Sequence, residues 1–439
     1  MKRSLVIGGA SSGVGKTIIT LALLHSLKDK NLQSFKIGPD FIDPLYHKSI
    51  TGRPSYNLDS FLLPKDTILS SFYSKDFDIA IIEGVMGLFD GLGPDFYGST
   101  AHIAKIIGSP VILVIDGGKL SYSAAAILHG FKSLDKNLNI SGVIFNKIGG
   151  EEHLKMLKES ARMAGVEFIG AIPKKDYFKM SERHLGLVSP DEEPVDIEIL
   201  DEISTFLDID KLYDLSTIEA PIEYIEYDKT NKSKHPDKNF SNIKIGVALD
   251  KAFFFYYQDN LDFFKERGAD LVFFSPLDDE LPDVDGLYIC GGYPELFADK
   301  LEENERIRDQ IRKSGIPIYA ECGGMLYLLK KLNSRDMCGI FNAEAKMMSK
   351  LQSIGYTVAE TIVDTIIAPK NYLIRGHEFH YSQISSNESF AYRLIRGRGI
   401  KNGKDGFFRD NIIANYMHLH ALSDSSLFER FLLKCHDGV

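Results

Sequence analysis

Leu5–Val6–Ile7–Gly8–Gly9–Ala10–Ser11–Ser12–Gly13–Val14–Gly15–Lys16–Thr17 decides how the first half of this chain folds. Leu5–Ile7 reads as a strand, the glycines as a turn, and Thr17–Lys28 as an amphipathic helix. The run matches a nucleotide-binding phosphate loop with Ala10 at the first glycine position. Gly13 and Gly15 let the backbone wrap so that several N–H groups point at one phosphate. The helix that follows adds its positive end. Lys16 can reach the β- and γ-phosphates and the Thr17 hydroxyl can bind Mg²⁺, so ATP and Mg²⁺ are the expected cofactors. Ala10 fits as long as it keeps a negative φ.

Outward from this loop the chain alternates short Val/Ile-rich runs with helical patterns. Ser4–Ile7, Ile79–Glu83, Val111–Asp116 and Gly142–Asn146 read as strands of a parallel α/β sheet covered on both faces. In such a sheet ligands lie beyond the carboxyl ends of the strands. Acids there are candidates for the metal: Glu83, with Asp40 or Asp43 in Lys36–Ile37–Gly38–Pro39–Asp40–Phe41–Ile42–Asp43–Pro44, next to Thr17. Asp90 follows on the loop after Glu83. The Lys36 ammonium is a candidate for neutralising phosphate charge, and Asn146, at a late strand end, for hydrogen-bonding an adenine edge.

The chain has 439 residues, which implies two to four domains. Its 51 Lys+Arg against 61 Asp+Glu, a net charge of −10, argue against nucleic-acid binding through a general basic face. No apolar stretch reaches the length of a membrane span. The four cysteines, Cys290, Cys322, Cys338 and Cys435, form no CxxC pair, which fits a reducing cytoplasm. Between about Leu215 and Asn242 the apolar pattern dissolves, and residues 226–242 read as a linker. Strand–helix alternation then restarts with Lys244–Leu249, Asp270–Phe274, Gly286–Cys290 and Ile316–Ala320 as strands and Asn260–Arg267 and Lys300–Lys313 as helices. The organisation read from this is a nucleotide-binding domain over 1–225 and a second α/β domain over 243–439.

The second domain carries its own signal. Ile316–Pro317–Ile318–Tyr319–Ala320–Glu321–Cys322–Gly323–Gly324–Met325 is a strand, a turn of small residues around one cysteine, and a helix start. This is the elbow that exposes a nucleophile at the end of a sheet. The Gly323 N–H is placed to bind an oxyanion, and a second donor is expected from Cys290–Gly291–Gly292–Tyr293–Pro294, at Gly292. Asn415–Tyr416–Met417–His418–Leu419–His420 supplies two histidines on one side of an extended segment. His418 reads as the base for Cys322, and His420 as a group that orients it or lines the pocket. Cys338 and Cys435 read as inert.

Taken in order, Gly9–Thr17, Lys36–Pro44, Glu83–Gly91, Asp250–Tyr257, Gly291–Pro294, Ala320–Gly324, Arg375–Ser382 and Tyr416–His420 resemble the cobyrinate a,c-diamide synthase family of the cobalamin pathway. The resemblance implies a dethiobiotin-synthetase-like P-loop domain followed by a flavodoxin-like class I glutamine amidotransferase domain, and ammonia made at a separate site must stay unprotonated, so the two domains are expected to pack face to face. It implies that Cys322 releases ammonia from glutamine through a thioester. It further implies that ATP phosphorylates the a and c acetate carboxylates of cobyrinate in turn and that ammonia displaces the phosphate. Asp40, Asp43, Tyr46, Arg53 and Asp90 then become candidates for the macrocycle, with Arg53 pairing a propionate. Class I amidotransferases carry a glutamate two residues after the catalytic histidine. Here that position is His420, which points to a Cys322–His418 dyad. A nickel-sirohydrochlorin a,c-diamide synthase is the alternative of the same architecture, and cobyric acid synthase fits the length and Ala320–Gly324 less well. A P-loop sensor ATPase with an inert second domain, or a CO₂-fixing ligase of the dethiobiotin type, would leave Cys322 and His418 idle. A soluble cytoplasmic enzyme, monomeric or homodimeric, completes the expectation.

Overall fold

The computed structural model describes residues 2–178, 180, 182–183, 186–221, 224 and 240–437. Its contacts divide the chain into two compact units, Met1–Lys234 and His235–Val439. Most of the expected linker, residues 226–239, lies outside the described residues. Among the described residues no helix is long and apolar enough to cross a membrane.

The first unit contains β1 (Arg3–Gly9), α1 (Lys16–Ser26), β2 (Leu32–Ile37), α2 (Ile42–Thr51), β3 (Tyr56–Leu58), β4 (Ile79–Glu83), β5 (Val111–Asp116), β6 (Ile140–Ile148) and β7 (Glu167–Pro173), then a small hairpin of β8 (Glu182–Arg183) and β9 (Gly186–Leu187). The first seven strands make one sheet in the order β3–β2–β4–β1–β5–β6–β7, and all its pairings are parallel. Leu5–Ile7 and Ile79–Ile82 are fully buried, which is why these strands read as unbroken apolar runs. The β1–β4 register pairs Ile7 with Glu83. The phosphate loop therefore leaves β1 directly beside the carboxylate that ends β4.

The second unit contains β10 (Lys244–Ala248), β11 (Asp270–Phe274), β12 (Gly286–Ile289), β13 (Ile318–Glu321), β14 (Leu329–Leu332), β15 (Arg335–Asp336), β16 (Phe341–Met347), β17 (Ser353–Thr361), β18 (Leu373–His380), β19 (Ser382–Ser386), β20 (Phe390–Arg396), β21 (Lys404–Arg409) and β22 (Ile412–Asn415). Nine of these strands form a mixed sheet, β11–β10–β12–β13–β22–β21–β20–β17–β18. It is parallel from β11 to β22 and antiparallel beyond. A four-stranded sheet, β15–β14–β16–β19, stands apart from it. The parallel half is where the sequence pattern pointed. The antiparallel half follows from half-buried strands such as β17, where buried Thr357, Ala359 and Thr361 alternate with half-buried Val358 and Glu360. The single helix expected over Lys300–Lys313 is two, Ala298–Glu303 and Glu305–Lys313. Asn304 interrupts it and caps the second piece, its side chain accepting from the Ile307 N–H at 3.5 Å.

Strand parity fixes which side chains meet. Ile318 and Ala320 of β13 pack with Leu287 and Ile289 of β12 on one face. Tyr319 packs with Tyr288 and Cys290 on the other. Glu321, two residues after Tyr319, falls on the face that carries Cys290. Behind the elbow the packing is tight enough to demand glycine, because a Cβ on Gly324 would lie 2.0 Å from the Ile289 carbonyl oxygen. Gly324→Ala is expected to destabilise the second unit by at least about 1–3 kcal/mol. Scanning calorimetry should show its melting transition lowered and that of the first unit unmoved.

Candidate functional site

The first unit gathers its charged groups at the carboxyl ends of β1, β2 and β4. Gly15 opens α1 at φ +93, in the left-handed region, and an added Cβ there would come within 2.3 Å of the Asn146 amide. Ala10 is absent from the positive-φ residues, as its place in the loop requires. Lys16 rests with its ammonium 2.6 Å from the Met86 carbonyl oxygen. Burial and the neighbouring Lys36 hold its proton affinity below the usual lysine range.

Glu83, fully buried, is the hub. Its Oε1 accepts from the Thr17 hydroxyl at 2.7 Å and from the Lys36 ammonium at 3.1 Å, and its Oε2 meets His47 Nε2 at 2.8 Å. Burial alone would favour the neutral acid. Lys36 and His47 outweigh it and keep Glu83 ionised far below the usual carboxylate range. Lys36 also pairs with Asp43 at 2.5 Å. Although burial opposes the charged lysine, Asp43 and Glu83 drive its proton affinity up. The hard oxygens of Thr17 and Glu83, in contact beside a loop that glycine keeps open, suit Mg²⁺.

Other expected residues take different places. Asp40 spends Oδ1 on the Ile42 and Asp43 N–H groups at the start of α2 and is not brought against Thr17. Asn146 does not offer its amide to a base edge: it donates to the Val14 carbonyl at 2.8 Å and accepts from Lys147 N–H, bracing the phosphate loop from β6. Asp90 closes its own turn through Gly87 N–H at 2.8 Å. Tyr46 is buried at 2% exposure with its hydroxyl on the Val188 carbonyl, which leaves it no surface for a substrate. Arg53 is spent on Asn31, the Leu32 carbonyl and the Asp76 carbonyl. Those partners stand where β2 begins and just ahead of β4, at the amino ends of the strands and so at the opposite edge of the sheet from the phosphate loop. The macrocycle role expected of Tyr46 and Arg53 is corrected accordingly. The sequence reading missed His47, whose other nitrogen is held by Ser55 Oγ at 3.1 Å, and Lys147, whose ammonium grips the Gly13 carbonyl at 3.0 Å and Asp116 at 2.9 Å.

In the second unit Cys322 leaves β13 at φ +47, ψ −107, a conformation that costs a non-glycine residue about 1–3 kcal/mol. Its N–H is anchored on the Asn415 carbonyl at 2.7 Å, which ties the elbow to β22. Gly292, at φ +154, lies so close to the chain that a Cβ would be 2.1 Å from the Ala252 carbonyl oxygen. A Cβ on Gly323 would stand 3.1 Å from Gly292 N, so the two expected oxyanion donors come from adjoining backbone. His418 follows β22, and its backbone exchanges hydrogen bonds with His377 of β18. A Cβ on Gly291 would touch its ring at 2.7 Å. Burial alone would depress the His418 proton affinity. Its hydrogen bonds with Cys322 and Glu321 raise it to about 9.

His420 does not orient His418. Its ring packs on Tyr257 at 4.6 Å, its Nδ1 accepts from Leu422 N–H at 3.3 Å, and its Nε2 lies 3.4 Å from Asp259. The group beside His418 Nδ1 is Glu321, at 3.3 Å. A strand that ends at Ala320 hides it, whereas β13 runs on to Glu321 and two-residue alternation from Tyr319 points it inward.

Two family models match the chain: a CobQ/CobB/MinD/ParA nucleotide binding domain over residues 5–188 and a CobB/CobQ-like glutamine amidotransferase domain over residues 244–426. Proteins named cobyrinate a,c-diamide synthase are similar along nearly the full length. That of Listeria innocua is 43% identical over 95% of this chain and 96% of its own. That of Methanococcus maripaludis strain C7 is 45% identical over 97% and 98%, and that of Methanocaldococcus jannaschii 44% identical over 97% of each.

Lys36→Met is expected to remove about 3–5 kcal/mol from the first unit by leaving Asp43 and Glu83 without their shared cation, read from its calorimetric transition. In the second unit all four thiols are buried. Burial pushes Cys338 up to about 12 and holds Cys290 and Cys435 well above the usual thiol range. Iodoacetamide at neutral pH should therefore label Cys322 first, by peptide mass mapping, and His418→Ala should slow that labelling about tenfold or more.

Proposed function

From the chain's membership of the cobyrinate a,c-diamide synthase family, we propose that it amidates the a and c acetate carboxylates of cobyrinate, using ATP and ammonia taken from glutamine. The observation that carries this reading is the pairing of Cys322, forced out of β13 by its own backbone, with a histidine whose proton affinity is raised to about 9. Such a histidine takes the thiol proton and keeps it until a leaving group needs it.

In this reading the Cys322 thiolate attacks the side-chain amide carbon of glutamine. The N–H groups of Gly323 and Gly292 receive the charge that develops on oxygen. His418 passes its proton to the departing ammonia and then activates the water that hydrolyses the glutamyl thioester. In the first unit the backbone of Gly13–Gly15 cradles the triphosphate, with Lys16 leaving the Met86 carbonyl for the β- and γ-phosphates. Thr17 and Glu83 would hold Mg²⁺, which when bound neutralises charge on those phosphates. Lys36, held by Asp43 and Glu83, stands beside the same point as a candidate cation where the γ-phosphoryl moves. The substrate carboxylate takes that phosphoryl group and becomes an acyl phosphate. Ammonia displaces inorganic phosphate and leaves a primary amide.

The test is amide formation on cobyrinate and on nickel-sirohydrochlorin side by side, followed by mass spectrometry. Two successive exchanges of a hydroxyl for an amino group on cobyrinate, dependent on ATP and glutamine, are expected. Turnover of the nickel macrocycle alone would move the assignment to a nickel-sirohydrochlorin a,c-diamide synthase. Cys322→Ala should abolish the glutamine-driven reaction and leave amidation from added ammonium salt in place. Lys16→Ala should abolish both.

A further inference from the structure

Glu321 is the residue directly before the nucleophile, is fully buried, and has every acceptor position occupied. Its Oε1 accepts from the Tyr319 hydroxyl and from the Leu419 N–H at 3.0 Å. Its Oε2 accepts from the Cys290 thiol at 2.9 Å and faces His418 Nδ1 at 3.3 Å. Two of these contacts bear on His418 directly: one meets the ring, and the other pins the backbone of the next residue. We propose that Glu321 is the positioning residue of the glutamine-hydrolysing site, and that it fills from the nucleophile's own strand the place that His420 does not fill.

The chemistry follows from which nitrogen is engaged. With Nδ1–H donated to Glu321, the neutral imidazole carries its lone pair on Nε2, the nitrogen left to face Cys322. When His418 takes the thiol proton, the adjacent carboxylate balances the imidazolium. The donors from Tyr319, Leu419 and Cys290 fix the orientation of the carboxylate toward the imidazole. Burial keeps Cys290 protonated, so it serves as a donor and not as a second nucleophile. The titratable groups facing His418 are Glu321 and Cys290 from β13 and the end of β12, Cys322 from the elbow, and His377 of β18, stacked on it at 5.0 Å between ring centres. Glu321 is the one carboxylate among them. A Cys290–Glu321–His418 cluster with ligand atoms this close also resembles a metal site. Each contact is accounted for as a hydrogen bond, so metal occupancy is an outcome the test must expose.

This inference rests on Cys322 as nucleophile and His418 as base, and the experiment separates the two. Glutamate release by the full chain is followed against pH for wild type, Glu321→Gln, Tyr319→Phe and Cys322→Ala. Glu321→Gln is expected to lower kcat by about 100-fold or more with KM changed less than about threefold. It should also move the alkaline limb of kcat/KM, where the imidazolium loses its proton, to lower pH by about one unit. Tyr319→Phe removes a donor from the carboxylate and leaves more of its charge to face the imidazolium, so the same limb should move the other way, to higher pH. A merely structural glutamate would give no such opposed pair. Glu321→Gln with wild-type kcat and limb overturns the proposal. If Glu321→Gln loses the second unit's melting transition, Tyr319→Phe decides alone, and an unmoved limb overturns it. Activity that needs added Zn²⁺, or falls with a chelator and follows Glu321, also overturns it in favour of a metal. Glutamate release surviving in Cys322→Ala would sink the nucleophile assignment itself. An inactive Cys322→Ala beside an unaffected Glu321→Gln would sink only the role of Glu321.

Discussion

A carboxylate taken out of water must be matched donor for donor, or it gives up its charge. Both units of this chain are organised by that constraint. Glu83 ends β4 and Glu321 ends β13, each fully buried at the carboxyl end of an interior parallel strand. Around Glu83 the matching donors are a hydroxyl, an ammonium and an imidazole. Around Glu321 they are a phenol, a thiol, a backbone N–H and an imidazole. In each case the groups recruited to make burial tolerable are the groups with which chemistry can be done. Site and structural core are the same atoms.

That overlap explains why some of the site was legible in the sequence and some was not. The phosphate loop is contiguous, so its glycines, Lys16 and Thr17 carry their geometry in their order. Cys322 is legible for the same reason, since small residues crowd it at a strand end. Glu83 was readable as an acid closing an apolar run. Tyr46 and Arg53 were misassigned because nearness in sequence to Asp43 says nothing about which edge of the sheet a side chain reaches. Their true partners, Val188 and Asp76, lie 142 and 23 positions away. His47 carried no signal, because a histidine near the middle of α2 does not announce a partner on β4. His420 looked like a companion of His418 through alternation alone, and the ring of Tyr257 together with Asp259 claims it instead.

The fold shows the same division. Parallel strands buried on both faces declare themselves as continuous apolar runs, and β4 and β5 do so with sharp ends. The antiparallel strands from β17 to β21 are half-buried and interrupted by polar residues, so their pattern is weaker. Yet that extension brings β18 and its His377 against His418. It belongs to the glutaminase site as much as to the sheet.

The thiol, its carboxylate and the imidazole arrive by different routes. Cys322 and Glu321 are neighbours on one strand, whereas His418 follows the last strand and is inserted next to that pair only when β22 has docked beside β13. During synthesis from the amino end, the ATP unit is complete and the cysteine already made while the histidine is still unbuilt. With Cys322 and His418 as the proposed glutamine-hydrolysing pair, a chain cut short before β22 lacks the base that release of ammonia requires. On the function proposed, consumption of glutamine becomes possible only after the unit that would use the nitrogen has been synthesised.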